Sequence, residues 1–231
     1  MNVLLFGATG MVGQGVLREC LLDPEVHSVV TIGRTPSGRL HTKLHEILHG
    51  DFADFASIED KLSGFDACFF CLGVSSAGLT EEQYARITYD FALSAAQTLV
   101  RLNPEMTFVY ISGQGCDSTE KGSVMWARVK GRTENALLRL PFRSAYMFRP
   151  GLIEPRFGAR SRTGWYRALY TLSKPLFPVL RRVFPAQVLA TDEVGRAMLL
   201  VARYGAEKHV LEARDIRAIL SSKPILAPAT S

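Results

Sequence analysis

A glycine-rich turn near the start of the chain, FGATGMVG at residues 6–13, limits the folds open to it more than any other segment. The apolar run Val3–Phe6 precedes the turn, and an amphipathic pattern over residues 11–22 follows it. Three glycines at three-residue spacing between a strand and a helix are typical of a parallel sheet that binds a dinucleotide, although a glycine turn without a ligand is the alternative. The predicted cofactor-binding residues of this turn are Gly7, Thr9, Gly10, Met11, Val12 and Gly13.

Short apolar runs alternate with helical patterns along the rest of the chain. The predicted strands are Val3–Phe6, Val29–Ile32, Ile47–Leu48, Ala67–Leu72, Phe108–Ile111, Ala145–Phe148 and one near His209–Leu211. The predicted helices cover residues 11–22, 80–102, 124–140 and 191–203, with a capping box from Thr80 to Gln83 and an N-cap at Thr191 or Asp192. Continuous apolar strands are typical of parallel strands buried on both faces. The pattern predicts an α/β fold, a Rossmann-type doubly wound parallel sheet.

Composition narrows the class of protein further. With 231 residues, 47% hydrophobic and 21% charged, the chain suits a single globular domain rather than a disordered or fibrous protein. We expect this domain over residues 1–220, with 152–190 as a variable lid or substrate region and 221–231 as a loose tail. No apolar run approaches the roughly 18 residues of a membrane span, and the N-terminal residues do not resemble a signal peptide. Four unevenly spaced cysteines do not suggest a disulfide framework, so we expect a cytoplasmic protein.

Positive charge is concentrated in the second half of the chain. The net charge is +5, yet the window from Arg128 to Arg182 holds 13 basic residues and only two acidic ones. This window indicates either an anionic ligand or a solvated basic face. The basic residues lack interleaved aromatic motifs, which disfavours nucleic acid. Residues 164–185 fit a lid, a dimer surface or an interfacial membrane helix, and Pro175 and Pro178 disfavour the membrane interpretation.

Cofactor choice is indicated by the end of the second predicted strand. Sites for NAD usually carry an acidic residue about 20 residues after the glycine turn, where it binds the ribose 2′-hydroxyl. Here that position is occupied by Gly33 and Arg34, with no acid. A guanidinium can clamp a 2′-phosphate, so Arg34 predicts NADP(H) as the cofactor, with a surface arginine in a turn as the alternative.

With these motifs the chain resembles the atypical branch of the short-chain dehydrogenase/reductase (SDR) superfamily. It is similar to the Tat-interacting-protein/oxidoreductase-like proteins and to bacterial epimerase/dehydratase-like proteins. The resemblance covers most of the chain and includes, after the glycine turn, the motifs IGR (32–34), GDF (50–52), FFCLGVSSAG (69–78), YISGQG (110–115), WARVKGRTE (126–134), FRPGLI (148–153) and TDEVGRAM (191–198).

The resemblance implies roles for individual residues. Further cofactor contacts are implied for Asp51 and Phe52 at the adenine, for Cys71, Leu72 and Gly73 beside the dinucleotide, and for Arg149, Pro150 and Gly151 past the nicotinamide. Ser112 matches the catalytic serine of the superfamily. Lys130 matches the lysine of the Y-x-x-x-K motif, which also holds the nicotinamide ribose.

One position departs from the superfamily pattern. Trp126 stands four residues before Lys130, where active SDR enzymes have tyrosine. An indole N–H donates a hydrogen bond but cannot transfer a proton near neutral pH. The resemblance therefore implies either an oxidoreductase for a small carbonyl or hydroxyl substrate, or a protein that senses NADP(H) or acts as a scaffold without turnover. It also implies, by analogy with SDR dimers, a homodimer.

Two further patterns suggest chemistry but have simpler explanations. His41, His45 and His49 recur every four residues, but this stretch must supply the third strand, and we expect no metal site. Cys68 and Cys71 form a C-x-x-C pattern whose thiols point to opposite faces of a strand, which favours core packing. A third cysteine, Cys116, lies in the loop after Ser112, where a side chain can be exposed, and nothing nearby predicts a lowered pKa of its thiol.

Overall fold

The computed structural model of the chain describes residues 1–159, 177–183 and 187–222. The strands are β1 (Asn2–Phe6), β2 (Ser28–Gly33), β3 (Leu44–Leu48), β4 (Ala67–Phe70), β5 (Thr107–Ile111), β6 (Ser144–Arg149), β7 (Leu152–Glu154), β8 (Val188–Ala190) and β9 (Val210–Glu212). The α-helices are α1 (Met11–Leu22), α2 (Glu81–Ala85), α3 (Phe91–Leu102), α4 (Met125–Leu138), α5 (Phe177–Val183), α6 (Thr191–Tyr204) and α7 (Ala213–Ser221). A 3₁₀ helix covers Ala56–Lys61, and a π-helical turn covers Arg86–Asp90.

The central sheet confirms the predicted doubly wound topology. Seven strands pair in the order β3-β2-β1-β4-β5-β6-β9, and each pairing is parallel. The strand order reverses between β1 and β4, so a crevice opens at their carboxyl ends. The strands β7 and β8 form a separate parallel pair.

Each face of the central sheet has its own apolar layer. On β1, Val3 and Leu5 pack with α1, α6 and α7, whereas Leu4 and Phe6 pack with α3 and the 3₁₀ helix. All four side chains are fully buried. Burial on both faces removes the need for alternating polar residues, which explains the continuous apolar runs in the sequence.

Several strand boundaries differ from the predicted ones. The third strand begins at Leu44 rather than Ile47, because this edge strand keeps polar, largely exposed residues that an apolar criterion does not detect. The fourth strand ends at Phe70, so Cys71 and Leu72 lie in the loop beyond it. The ninth strand is Val210–Glu212, one residue later than expected.

Two helix starts also test the capping predictions. The capping box is confirmed at α2, where the Gln83 N–H donates to Thr80 Oγ1 and the Thr80 N–H donates to Gln83 Oε1. The N-cap prediction for α6 is wrong, because β8 leads directly into the helix and the N-cap is Ala190. The Ala190 N–H instead donates to the Glu193 carboxylate at 2.7 Å.

The predicted lid and tail are only partly covered by the described residues. Within 152–190, the structure describes β7, α5 and β8, while residues 160–176 and 184–186 lie outside the described residues, as does the tail from residue 223. The lid, dimer and membrane interpretations of residues 164–185 therefore stay predictions. In the part of the chain that is described, no helix combines the length and the apolar character needed to cross a membrane.

Candidate functional site

The glycine turn between β1 and α1 is held by close backbone contacts. Gly7 has a φ of +77°, and a Cβ there would lie 2.6 Å from the carbonyl carbon of Cys71. A Cβ on Gly13 would lie 2.0 Å from the Gly7 carbonyl oxygen. Both distances are far below van der Waals contact. The turn can therefore keep this shape, and Gly7 its close contact with the Cys71 backbone after β4, only with glycine at both positions.

The start of α1 presents unused backbone donors to the crevice. Gly10 is the N-cap residue, and no side chain caps this helix. The N–H groups of Met11, Val12 and Gly13 lie in the first turn, where no carbonyl of the helix can accept from them. Such donors at the positive end of a helix bind phosphate groups. The predicted phosphate-binding residues are thus brought together at one place.

A cavity extends from the turn along the carboxyl ends of β1, β2 and β3. Its wall combines the glycine turn, the ends of these strands and the loop after β4: Gly7, Ala8, Thr9, Gly10, Thr31, Ile32, Gly33, Arg34, Thr35, Ser37, Glu46, Ile47, Leu48, Gly50, Phe52, Cys71, Leu72, Gly73 and Val74, with Ile87 and Phe91 from the helices opposite. Phe52 is buried at the apolar side of this wall. Asp51 does not line the cavity, and its carboxylate accepts the Ala53 N–H at 3.0 Å. Its contact with adenine stays a prediction.

Arg34 lies on the cavity wall, directly after β2. Its side chain is exposed, and among the described residues it has no ion-pair or hydrogen-bond partner. Thr35 and Ser37 line the wall beside it. Arg34, the residue predicted to bind a 2′-phosphate, is therefore a cation whose charge no described residue neutralises.

Glu46 is a residue of this wall that the sequence analysis missed. It lies in β3 opposite Thr31 of β2, and its Oε1 accepts the Ser37 N–H at 2.7 Å. The acidic residue sought at the end of the second strand is thus absent there but present on the neighbouring strand. A signal in the sequence was available: β3 begins at Leu44, before its apolar residues Ile47 and Leu48. Strand pairing then places Glu46 near the carboxyl end of β2.

Ser112 follows β5 directly and is buried at the carboxyl edge of the sheet. Its N–H donates to the Phe148 carbonyl oxygen at 2.8 Å, and its Oγ lies 3.1 Å from the Cys116 Sγ. Cys116 is buried, because the loop folds back onto Ser112 and covers the thiol. Burial raises the pKa of the Cys116 thiol, against the opposing hydrogen bond from Ser112 and the charge of Lys130.

Lys130 lies one helical turn after Trp126 in α4. Its Nζ is 5.4 Å from the centre of the Tyr110 ring, and no described residue accepts a hydrogen bond from it. Burial lowers the pKa of Lys130, while Cys116 and Glu134 act in the opposite direction. An ammonium without an acceptor in a partly buried place is suited to a ligand hydroxyl.

Neither Tyr110 nor Tyr84 is placed to replace the missing phenol. Tyr110 is buried on the face of β5 that packs on α3 and α4, where burial raises the pKa of its phenol well above the ordinary value and Thr133 hydrogen-bonds to it. Tyr84 is also buried. Among the described residues, the Cys116 thiol is the titratable group in hydrogen-bond contact with Ser112. Trp126 itself packs near Gly115 in the loop that carries Cys116.

Arg149 belongs to a buried ion pair rather than to the open crevice. Its Nε donates to both Glu134 oxygens at 3.0 and 3.1 Å, and its Nη2 donates to Ser118 Oγ at 2.7 Å. A second acidic residue, Glu212, accepts a hydrogen bond from its Nη1 at 3.2 Å. Hydrogen bonds to Glu134 raise the pKa of Arg149 further. The side chain therefore binds α4 to β6, and only the backbone of Pro150 and Gly151 continues along the edge of the sheet.

The basic window is partly neutralised within the protein. Arg128 pairs with Glu81 at 2.7 Å, and the Arg132 guanidinium lies 4.1 Å from the centre of the Tyr89 ring. Together with the buried Arg149, these side chains stabilise the contacts of α4. The excess of positive charge in this window therefore serves packing at these positions, in addition to any role toward an anion.

The cysteine and histidine patterns do not form a site in the described residues. Cys68 and Cys71 lie in the apolar layers on opposite faces of the sheet, as predicted, and burial raises the pKa of both thiols. His45 lies in β3, as the strand prediction requires. Across residues 1–159, 177–183 and 187–222, no three His, Cys, Asp or Glu side chains are grouped as metal ligands.

A parallel sheet wound in both directions, a glycine turn at its switch point, and a serine and lysine at its carboxyl edge define the SDR class of Rossmann proteins. A family model described as "NAD dependent epimerase/dehydratase family" matches residues 3–118, about half of the chain. The chain belongs to this family.

Individual relatives agree with this assignment. The chain is 34% identical over 159 residues to the protein fmp52, mitochondrial, of Emericella nidulans, covering 66% of each protein. It is 26% identical over 155 residues to protein HTATIP2 of Rattus norvegicus, covering 66% of the chain and 62% of the relative. The alignments thus span less than two thirds of the length of these relatives.

A solved structure shows the same fold. MoeE5 in complex with UDP-glucose and NAD matches 92% of the chain and 75% of its own length, with a TM-score of 0.65 at 17% identity. At this identity the similarity shows the fold alone. The resemblance to SDR proteins drawn from the motifs is confirmed by the family, the relatives and this fold.

Proposed function

We propose that the protein binds NADP(H) in the crevice and acts as an oxidoreductase on a small carbonyl or hydroxyl substrate. The observation that carries the proposal is the unpaired Arg34 on the cavity wall, beyond a glycine turn with free helix N–H groups. A guanidinium in this position provides the planar donors that a 2′-phosphate requires. The adenosine end of the crevice is then the part lined by Arg34, Ser37, Glu46 and Phe52.

The nicotinamide end is the part around Ser112, Cys116, Trp126 and Lys130. Here Lys130 would donate to the hydroxyls of the nicotinamide ribose, since its ammonium has no other acceptor in the described residues. Ser112 would donate to the substrate oxygen and so orient the carbonyl. When bound, the nicotinamide would supply or accept the hydride. The proton would have to reach the substrate oxygen from water or from the Cys116 thiol, because the Trp126 indole does not release one.

A second candidate is a protein that binds NADP(H) without turnover, as a sensor or scaffold. The observation that favours it is Trp126 at the position of the superfamily tyrosine, with Tyr110 buried and bound to Thr133. Binding at the adenosine end does not depend on this position. The two candidates therefore share the cofactor and differ only in chemistry.

The cofactor is tested by titrating the purified protein with NADPH and NADH. We expect the wild type to bind NADPH more tightly than NADH. Arg34→Ala should lower the affinity for NADPH by about tenfold or more and change the affinity for NADH little, since it removes a charge-assisted hydrogen bond to the 2′-phosphate. Arg143→Ala is the matched control, because it removes an exposed arginine before β6, at the opposite edge of the sheet. Tighter binding of NADH to the wild type would contradict the NADP(H) proposal.

The chemistry is tested by NADPH consumption with a panel of aldehydes and ketones. Turnover that Ser112→Ala abolishes, and that Trp126→Tyr raises, would support the oxidoreductase and exclude the sensor. Tight NADPH binding without turnover in wild type or in Trp126→Tyr would favour the sensor. An inactive preparation would bind no NADPH, so the binding titration distinguishes it from both results.

We also propose a cytosolic, homodimeric protein that does not bind nucleic acid or membranes. Composition and charge support the location and the absence of these two partners, and analogy with SDR dimers supports the dimer. The name of the fmp52 relative, in contrast, places that protein in mitochondria. Cell fractionation with a tagged chain tests the location. Light scattering during gel filtration tests the dimer.

A further inference from the structure

The cavity wall carries a carboxylate that the proposed function does not use. Glu46 is exposed on the edge strand β3, yet it lines the same cavity as Arg34 and Ser37. Its neighbour in the register of the sheet is Thr31, two residues before the end of β2. This end of β2 is where dinucleotide sites read the 2′ substituent of the adenosine ribose.

Hydrogen bonds hold the Glu46 carboxylate in the wall. Its Oε1 accepts the Ser37 N–H at 2.7 Å and has a long contact of 3.5 Å with Thr31 Oγ1. Both contacts use the same oxygen, so Oε2 has no donor among the described residues. One oxygen of a fixed carboxylate is thus left for a ligand hydroxyl.

The two charged side chains of this wall favour different groups. Arg34 favours a 2′-phosphate, with which a guanidinium forms paired charge-assisted hydrogen bonds. A carboxylate accepts a hydrogen bond from a 2′-hydroxyl but is repelled by a phosphate. The structure shows no ion pair between Arg34 and the described acidic residues, so neither charge is cancelled by the other.

We propose that Glu46 is a specificity-determining residue, which accepts the 2′-hydroxyl of NAD(H) and disfavours the 2′-phosphate of NADP(H). The protein then binds both dinucleotides, and its preference for NADP(H) is smaller than Arg34 alone would produce. This inference rests on the proposed dinucleotide binding. It adds that the cofactor ratio is set by two residues of opposite charge on neighbouring strands.

The test is Glu46→Gln, which keeps an oxygen for the Ser37 N–H and removes the charge. Isothermal titration with NADPH and NADH should show the NADPH:NADH affinity ratio rising about tenfold, as expected for loss of one charged hydrogen bond. Binding of NADPH should tighten and binding of NADH should weaken. Glu105→Gln is the matched control, because it removes an exposed carboxylate beside the opposite end of β5. Glu46→Lys should shift the ratio further in the same direction, and serves as the second variant if Glu46→Gln unfolds.

The outcomes separate this inference from the proposed function. If the wild type binds NADPH and both Glu46 variants keep its affinity ratio, the role of Glu46 is wrong and the proposed function stands. If Glu46→Gln changes the ratio no more than Glu105→Gln does, the effect is one of net charge, and the inference is likewise overturned. If the wild type binds neither dinucleotide, the proposed function and this inference fail together.

Discussion

The two ends of the crevice, which we propose to hold the adenosine and the nicotinamide of the cofactor, differ in how many of their polar groups already have partners. At the adenosine end, the N–H groups of the first turn of α1 and the Arg34 guanidinium have no partner among the described residues. At the nicotinamide end, Ser112 contacts Cys116, and Arg149 is buried against Glu134. Of the two cationic side chains predicted at this end, Arg149 is paired and Lys130 has no hydrogen-bond acceptor among the described residues.

This difference separates binding from chemistry. Binding of a dinucleotide depends on backbone geometry and one exposed cation, and the chain has both. Reduction of a carbonyl also needs a proton donor beside the serine, and Trp126 removes the phenol that serves in related enzymes. Cofactor binding and catalysis can therefore be tested, and lost, independently in this fold.

Loss of the buried Glu134–Arg149 ion pair at the proposed nicotinamide end should have the largest effect on the free energy of unfolding. Glu134→Gln leaves the buried Arg149 charge without its main partner, and such a loss typically costs about 3–5 kcal/mol of unfolding free energy. Urea denaturation followed by circular dichroism measures it. Binding of 2′,5′-ADP, which needs only the adenosine end, should stay within about twofold at temperatures where the variant is folded.

The control for this variant is Glu59→Gln, which breaks an exposed bidentate pair with Arg101. Exposed pairs contribute little to stability, so its unfolding curve should match that of the wild type. Equal losses in the two variants would contradict the view that burial of the Arg149 pair stabilises this end.

Breaking the glycine turn should remove binding at the adenosine end. Gly13→Ala places a methyl group 2.0 Å from the Gly7 carbonyl oxygen, so the turn must open. We expect NADPH affinity to fall at least about a hundredfold, about 2.7 kcal/mol, with some loss of stability. Gly64→Ala is the control, because Gly64 has a φ of +84° and does not line the cavity, so the substitution strains the backbone away from the turn. Retained NADPH affinity in Gly13→Ala would show that the dinucleotide does not lie against this turn.

A third variant is expected to weaken cofactor binding only at the proposed nicotinamide end. Lys130→Met removes an ammonium that can donate to the nicotinamide ribose. We expect the affinities for NADPH and NADH to fall equally, by about tenfold. The affinity for 2′,5′-ADP should not change, because that ligand has no nicotinamide ribose. Lys121→Met, in the exposed loop before α4, is the control. A loss of 2′,5′-ADP affinity in Lys130→Met would place the lysine at the wrong end.

The smallest effect is expected from the pH dependence of the loop that carries Cys116. Hydrogen bonds from Thr119 and Gly122 lower the pKa of Asp117. A depressed pKa in the folded state contributes stability above the ordinary carboxyl pKa, and this contribution is lost as the pH falls through the folded-state value. Urea denaturation should therefore show wild type more stable than Asp117→Asn near neutral pH, with the gap closing below about pH 4.

The control for the pH series is Asp60→Asn, at an exposed carboxylate without a hydrogen-bond partner among the described residues. Its stability should follow that of the wild type over the whole range. A gap between wild type and Asp117→Asn that stays constant with pH would mean that the loop does not depend on the charge of Asp117.

Much of the adenosine end was predictable from the sequence. The glycine turn is a local feature, in which spacing between a strand and a helix determines backbone shape, so the positions of Gly7 and Gly13 followed from the chain alone. The cavity position of Arg34 followed from the end of the second strand. Glu46 was missed because its role depends on pairing between β3 and β2, a contact that spacing along the chain does not encode.

Less of the nicotinamide end was predictable. The resemblance implies catalytic roles for Ser112 and Lys130 and a cofactor contact for Arg149, and these roles stay predictions. The structure adds that the Arg149 side chain pairs with Glu134 inside the protein. The burial of Cys116 against Ser112 also depends on how the loop folds back. Side-chain direction in such loops is set by the packing of α4 and β6, which lies outside any local pattern.

The order of strands and helices, the doubly wound sheet and the shape of the glycine turn were determined by the sequence alone, because periodicity and glycine spacing act over a few neighbouring residues. The partners of the charged and polar side chains were decided only by the tertiary structure. Register between strands brings Glu46 to the cavity wall beside Arg34, and helix packing pairs Arg149 with Glu134 inside the protein. Both outcomes arise from contacts between residues far apart in the chain, whose free energy exists only when the sheet and its helices are assembled.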